Sequence, residues 1–348
     1  MEGGAMSHFK VSIVVPCYKV EETLPRCLDS LVGQTLEDVE IVCINDGSPD
    51  SCLSILKQYR ERYGSRIVVI DKKNEGVWKA RRDGIMAASG GYIGFVDPDD
   101  YVHRDFAAKL YEAAVKNDAD IACCGFYRID AETGNTLSEE MTGFRYDIFN
   151  IQEEPGLMPE VNIALWNKIF RAGMIRRMYD IKTTPKVQDD LMFANLIYIN
   201  AGVITFVKEA LVYYMIRSGS VISTFRKEYI PDIYAAIKEV RDIYRIRNRK
   251  MLQYMDAEAF LHLGIVLMYR LSGESGFGQI LKDNTQFLDA EFPGWRNDPY
   301  IRLSYVIRHR RANMKLFVVR MMYRLHLFRL FLKFYCFMIK HFKKDIKW

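Results

Sequence analysis

At 348 residues, 49% apolar and 27% charged, the chain can bury one large domain with an appendage, and it is too mixed for a disordered protein or a bundle of membrane spans. Its net charge of +5 is uneven: Ile301 to Trp348 holds 13 Lys and Arg and one acid, Asp345, so that segment carries +12 and residues 1–300, by difference, −7. The seven cysteines form no CxxC pair and no histidine stands at ligand spacing, which argues against zinc and for reduced cytosolic thiols.

Residues 1–8 read as a disordered start and are left out of the fold. Val11-Ser12-Ile13-Val14-Val15 is an apolar strand that Pro16 should end, followed by a loop at Cys17-Tyr18-Lys19. Helical periodicity runs from Glu21 to Val32, and Glu40 to Ile44 is a second strand. Asn45-Asp46-Gly47-Ser48-Pro49-Asp50 is dense turn chemistry before a helix over Ser51 to Tyr63. A strand at Arg66 to Ile70, a loop at Asn74-Glu75-Gly76 and a helix over Val77 to Ala88 come next.

Tyr92-Ile93-Gly94-Phe95-Val96-Asp97-Pro98-Asp99-Asp100 opens as a buried parallel strand and ends in three carboxylates around a proline. The acids should stand at the carboxyl end of a central strand, where open α/β sheets bind ligands. Hard oxygen ligands without Cys or His suit Mg²⁺ or Mn²⁺ beside phosphate; the plain alternative is a solvated acidic turn. A helix over Asp105 to Lys116 and a strand over Asp120 to Tyr127 complete a βαβ alternation, hence a mostly parallel, Rossmann-like sheet flanked by helices.

Neither GxGxxG nor GxxxxGK[ST] is present, so side chains must hold any nucleotide: Tyr18 can stack on a base and Asp46 can accept a uracil imide N–H. Thr133 to Leu157 reads as a long loop, either an acceptor-binding excursion or a surface insertion. Apolar residues resume through Trp166-Asn167-Lys168, Asp189-Asp190 precedes the apolar Leu191-Met192-Phe193, and Ile204 to Phe206 and Leu211 to Ile216 read as two strands. Arg217-Ser218-Gly219-Ser220 is a polar turn, and Tyr229 to Arg249 and Glu258 to Leu271 are helical.

Taken in order, Val14-Val15-Pro16-Cys17-Tyr18, Ile44-Asn45-Asp46-Gly47-Ser48, Asn74-Glu75-Gly76 with Ala80-Arg81, Phe95-Val96-Asp97-Pro98-Asp99-Asp100, Trp166-Asn167-Lys168 and Asp189-Asp190 resemble an inverting family 2 glycosyltransferase of the GT-A fold, of the bacterial surface-polysaccharide type. The resemblance covers roughly residues 9–225, a nucleotide-sugar half over 9–130 and an acceptor half over 131–225, with a helical extension over 226–300 and a basic tail over 301–348. It implies a hexosyl transferase moving one sugar from a nucleotide sugar, UDP by the Asp46 reading, to a glycan or lipid-linked glycan. Pro16, Tyr18, Asp46, Asn74 and Arg81 would hold the nucleotide, Asp97 the ribose, and Asp99 the Mn²⁺ or Mg²⁺. Asp190 would be the catalytic base with Asp189 beside it; the alternative for this pair is a helix cap. Arg217 and Ser220 would close over the diphosphate, and Trp166 and Lys168 would meet the acceptor, with a core tryptophan as the alternative. The chain departs from the family's Glu-Asp pair at Asp189, and at Trp78 and Arg82. It lacks the QxxRW signature of processive synthases.

On a helix, Arg329, Lys333, Lys340, Lys344 and Lys347 share one face, away from Phe331, Phe334, Tyr335, Met338 and Phe342. This pattern fits a helix lying on the inner face of the plasma membrane, which would make the protein cytoplasmic and peripheral, without nucleic acid and with an oligomer open. A helix packed on the domain is the alternative for the tail. For the whole chain the rivals are a non-catalytic nucleotide-sugar-binding protein, a membrane-surface scaffold and a nucleotidyltransferase.

Overall fold

The computed structural model of the chain describes residues 9–217 and 226–342. Contacts divide it into two compact units, Met1–Ile151 with Ile163–Asp180 and Asp189–Ser220, and Gln152–Asn162 with Ile181–Gln188 and Val221–Trp348. The boundary expected near residue 300 falls inside the second unit.

The first unit begins with β1 (Val11–Cys17), α1 (Leu24–Val32), β2 (Val39–Asp46), α2 (Cys52–Tyr63), β3 (Ile67–Lys72), α3 (Val77–Ala87) and β4 (Tyr92–Phe95). These strands lie parallel in the order β3-β2-β1-β4. β1 and β2 are buried along their whole length, as apolar runs without alternation require. Pro16 does not end β1. Pairing with β4 stops at Val14, while β2 continues alongside through Cys17. Val14 bonds toward β4 through its carbonyl. Residues two apart along a strand present the same edge, so the N–H that Pro16 lacks faces the side where the ladder has already stopped.

The unit continues with β5 (Tyr101–Val102), α4 (Phe106–Lys116), β6 (Ile121–Asp130), β7 (Thr136–Glu140), β8 (Ile148–Asn150), β9 (Lys168–Arg171), α5 (Ala172–Ile175), α6 (Asp189–Tyr198) and β10 (Val203–Ile216). Here the sheet is mixed: β9 runs antiparallel between β4 and β6, β6 and β10 are parallel, and β5, β7 and β8 pair antiparallel. Two sequence expectations change. The segment expected to be a long loop contains β7 and β8; the β6–β7 turn is held by the Asp130 carboxylate, which accepts from the backbone of Glu132 and Thr133. The two strands expected at 204–206 and 211–216 are one strand, β10, with register shifts on both sides of Ala210.

The second unit is helical: α7 (Ile230–Arg247), α8 (Leu252–Ala259), a π-helical stretch Phe260–Leu267 running into α9 (Met268–Arg270), then α10 (Phe277–Glu291), α11 (Leu303–Arg308), α12 (Met314–Arg324) and α13 (Phe328–Phe342). Phe260, Trp295 and Tyr323 pack ring against ring, and the Tyr323 hydroxyl donates to the Gly264 carbonyl at 2.6 Å. Among the described residues no helix is long and apolar enough to cross a membrane.

One close approach fixes how α3 lies on the sheet. A Cβ on Gly84 would stand 2.3 Å from Cγ1 of Val14, a branched core side chain with no room to withdraw. We expect Gly84→Ala to destabilise the protein by about 1–3 kcal/mol, the usual cost of overpacking. A thermal melt reads this, and an unchanged Tm would contradict so tight a contact.

Candidate active site

The carboxyl ends of β1, β2 and β3 are joined by their own loops. Lys19 N–H donates to Ser48 Oγ at 2.7 Å, Glu21 N–H to Asp50 Oδ2 at 3.1 Å, and Ser51 N–H to Glu21 Oε2 at 2.8 Å. Both oxygens of Asp46 accept backbone N–H groups, from Glu75 at 2.9 Å and Gly76 at 2.8 Å, while the Asn74 amide donates to the Asp46 carbonyl at 2.9 Å. Gly47, at φ +62°, passes so near Asn74 that a Cβ would lie 2.6 Å from its backbone nitrogen, so only glycine fits this crossing. Gly47, Asp71, Lys72, Lys73 and Asn74 line an open cleft of 560 Å³. Tyr18 stands 43% exposed in the loop after β1, with Lys19 Nζ 5.4 Å from its ring centre.

Beside this edge, β4 ends in a turn closed by Asp100 N–H on the Asp97 carbonyl at 3.0 Å, with Pro98 supplying the fixed φ of its first corner. Asp100 is buried and structural: its Oδ1 accepts the Met215 N–H at 2.8 Å, tying the turn to β10. Arg26 on α1 donates to the Asp99 carbonyl at 2.9 Å and lies over the Tyr101 ring. Nothing in the pattern around Arg26 marked it in advance.

Arg81 joins the parts. Its Nη1 is 2.7 Å from Asp189 Oδ2 and 2.7 Å from Asp190 Oδ1, and its Nη2 is 3.4 Å from Asp97 Oδ1. The guanidinium is buried, and its Nε has no hydrogen-bond partner. The resemblance implies a nucleotide contact for Arg81; the structure gives its guanidinium three carboxylates. The apolar contacts around it explain the placement. Phe193 on α6 meets Trp78 on α3 edge-on at 4.9 Å and Phe95 on β4 at 5.9 Å, which docks the start of α6 against the helix that carries Arg81. The N-terminus of α6 also favours anions at Asp189 and Asp190.

Crowding sets the electrostatics. Burial raises the Asp97 carboxyl, Arg81 offsets part of this, and the charges of Asp190, Asp99 and Asp189 raise it further. Burial and Asp190 raise Asp189 likewise against Arg81. Four carboxylates with one buried cation leave local negative charge uncompensated, which a divalent cation would relieve. Among the described residues no three acidic, Cys or His side chains are grouped so as to hold a metal ion by themselves.

The description "Glycosyl transferase family 2" matches residues 12–183. EpsJ of Bacillus subtilis, an uncharacterized glycosyltransferase, is 50% identical over 175 residues, covering 48% of this chain and 49% of EpsJ. A poly(ribitol-phosphate) beta-glucosyltransferase of Bacillus spizizenii is 32% identical over 257 residues, 70% of this chain and 39% of that one. The chain belongs to glycosyltransferase family 2. It spans about half of EpsJ and less of the B. spizizenii protein. The solved Staphylococcus aureus TarS 1–349 with UDP-GlcNAc superposes with a TM-score of 0.68 at 18% identity, over 91% of this chain and 92% of that one, so the fold is GT-A.

Within this family 2 chain, Pro16, Tyr18, Asp46 and Asn74 share one edge, and Asp97, Asp189 and Asp190 meet at Arg81. Trp166 and Lys168 are placed differently from the acceptor contacts expected of them. Trp166 is buried, stacked on Tyr214 and edge-on to Phe126, as the core alternative has it. Lys168 is fully buried, and Nζ donates to the Ala164 carbonyl at 2.6 Å and to Asn167 Oδ1 at 2.8 Å. Arg217 follows directly on β10, and Ser220 lies outside the described residues. Asp71, Lys72 and Lys73, which line the cleft, went unremarked in the sequence because a short exposed Asp-Lys-Lys run reads as solvated surface.

The raised carboxyls fix a pH dependence. A carboxyl raised above its unfolded value of about 4 stabilises the fold below that value and loses the contribution as pH climbs through its folded value. Without ligands, stability should therefore fall as pH rises from about 4 towards neutrality. Arg81→Met should steepen the fall, since removing one partner of a buried ion pair costs about 3–5 kcal/mol and bares mutually repelling acids. Tm measured across this pH range checks both; parallel, flat profiles would contradict the arrangement.

Proposed function

We propose that this chain transfers a single sugar from a UDP-sugar to a hydroxyl of a glycan or lipid-linked glycan, with inversion at the anomeric carbon and with a divalent cation. The observation that carries the proposal is the convergence of Asp190, Asp189 and Asp97 on Arg81, beside the loops of Tyr18 and Asp46. The UDP-GlcNAc complex of TarS and the beta-glucosyltransferase relative support the donor class and a polymer acceptor.

An inverting transfer is one displacement at the anomeric carbon. Asp190 takes the proton of the attacking hydroxyl on the face opposite the departing diphosphate, a contribution of roughly 10²–10⁴-fold for a positioned carboxylate. The bond from Arg81 Nη1 keeps one Asp190 oxygen oriented, and Asp189, on the same nitrogen, keeps the guanidinium in register. Tyr18 would offer a ring face to the base, Asp46 holds the 74–76 loop against β2, and Asp97 would bind the ribose. Asp99 would hold the cation, which, when bound, stabilises charge on the leaving diphosphate as a Lewis acid. Arg217, directly after β10, would cover that diphosphate together with Ser220.

The test is a panel of nucleotide sugars with Mg²⁺ or Mn²⁺ and glycan or lipid-linked acceptors, reading released nucleoside diphosphate. We expect turnover of a UDP-sugar that a chelator abolishes, that Asp190→Asn lowers by roughly 10²–10⁴-fold, and that Asp99→Asn makes insensitive to added metal. Preferential turnover of a guanosine or thymidine sugar would overturn the donor assignment. Full activity in Asp190→Asn would overturn the assignment of the base.

A further inference from the structure

α12 and α13 carry two apolar faces. Phe328, Leu332 and Tyr335 form the first; they are buried, with Phe328 stacked on Tyr323 and Tyr335 against Tyr269. The second is exposed: Leu327, Leu330, Phe334 and Phe337 recur on one side of α13, where Leu330 is 65%, Phe334 61% and Phe337 49% exposed. At 100° per residue this stripe covers about 80° of the helix and runs about 15 Å along it. Leu325, exposed in the turn before α13, lies at the start of the same segment. The aromatic residues that looked like one face in the sequence are thus divided, Tyr335 inward and Phe334 outward.

Exposed Arg329 and Lys333 flank the outer stripe, and exposed Arg324 precedes it. No acidic residue occurs from Ile301 to Phe342. Lys344 and Lys347 lie outside the described residues. Four large apolar side chains in a row, edged by cations with no acid among them, point to an occupant that is apolar inside and anionic at its surface. We propose that this face of α13 docks on an anionic lipid bilayer, lying in the headgroup plane with Leu330, Phe334 and Phe337 inserted and Arg329 and Lys333 at the phosphates. A second copy of the chain is the poorer occupant, because pairing the two faces would oppose like charges. The helix is too short and too charged to span. The inference goes beyond the transferase reading and does not depend on it.

The experiment is flotation of the full chain with vesicles of equal parts phosphatidylglycerol and phosphatidylcholine, and with phosphatidylcholine alone, in low and high salt. The wild type should bind the anionic vesicles and bind phosphatidylcholine at least about tenfold more weakly. Leu330→Ser/Phe334→Ser/Phe337→Ser, which changes only exposed side chains, should lower binding to both by roughly tenfold or more with an unaltered thermal melt. Arg329→Glu/Lys333→Glu should abolish the preference for anionic vesicles. The proposal fails if the wild type does not float, or if the triple serine variant floats equally well. It fails too if sedimentation shows the stripe consumed in a wild-type oligomer that the triple variant cannot form.

Discussion

One buried guanidinium holds the candidate site together. Arg81 meets Asp189, Asp190 and Asp97, which come from two elements more than ninety positions apart in the chain. A buried cation is costly unless it is paired, and crowded carboxylates are costly unless they are neutralised. Each therefore requires the other, and the elements that carry them are constrained to meet: α3 by the Gly84–Val14 approach, α6 by Phe193 between Trp78 and Phe95, and the end of β4 by the turn at Pro98. The arrangement remains incomplete in charge, with more carboxylates than cations, and in hydrogen bonding, with Arg81 Nε unpaired.

The edge proposed for the nucleotide is built on a different principle. No glycine-rich loop wraps a phosphate. The loops after β1, β2 and β3 instead bond to one another through Ser48, Asp50, Asp46 and Asn74, so that a firm rim presents Tyr18 and the cleft beside Gly47. Rigid support of this kind lets few side chains orient a ligand, because less ordering remains to be done when it binds.

Much of this was readable from residue patterns where burial imposes a strict demand. β1, β2 and β4 are apolar runs that hardly permit another reading, and the acids after β4 were located by the strand that precedes them. The ordered set from Val14 to Asp190 pointed to the family. What escaped was decided by neighbours distant in the chain. β7 was missed because Thr136-Leu137-Ser138-Glu139-Glu140 is a polar strand that needs β6 to exist at all. Lys168 looked like an acceptor contact because a lysine is seldom wholly buried, and only the positions of Ala164 and Asn167 make its burial tolerable. That Arg81 meets Asp189 and Asp190 was not legible, because nothing local records that α6 returns to it.

On the proposed mechanism Arg81 works through Asp190, the base that it positions. A double-mutant cycle in turnover tests this most directly, comparing Arg81→Lys, Asp190→Asn and the pair by UDP released under saturating metal. If Arg81 acts through Asp190, the double variant is no slower than Asp190→Asn alone, because the base whose position Arg81 governs is already gone. If the two losses multiply in full, Arg81 contributes only through its pairs with Asp97 and Asp189, and its role in positioning Asp190 is contradicted.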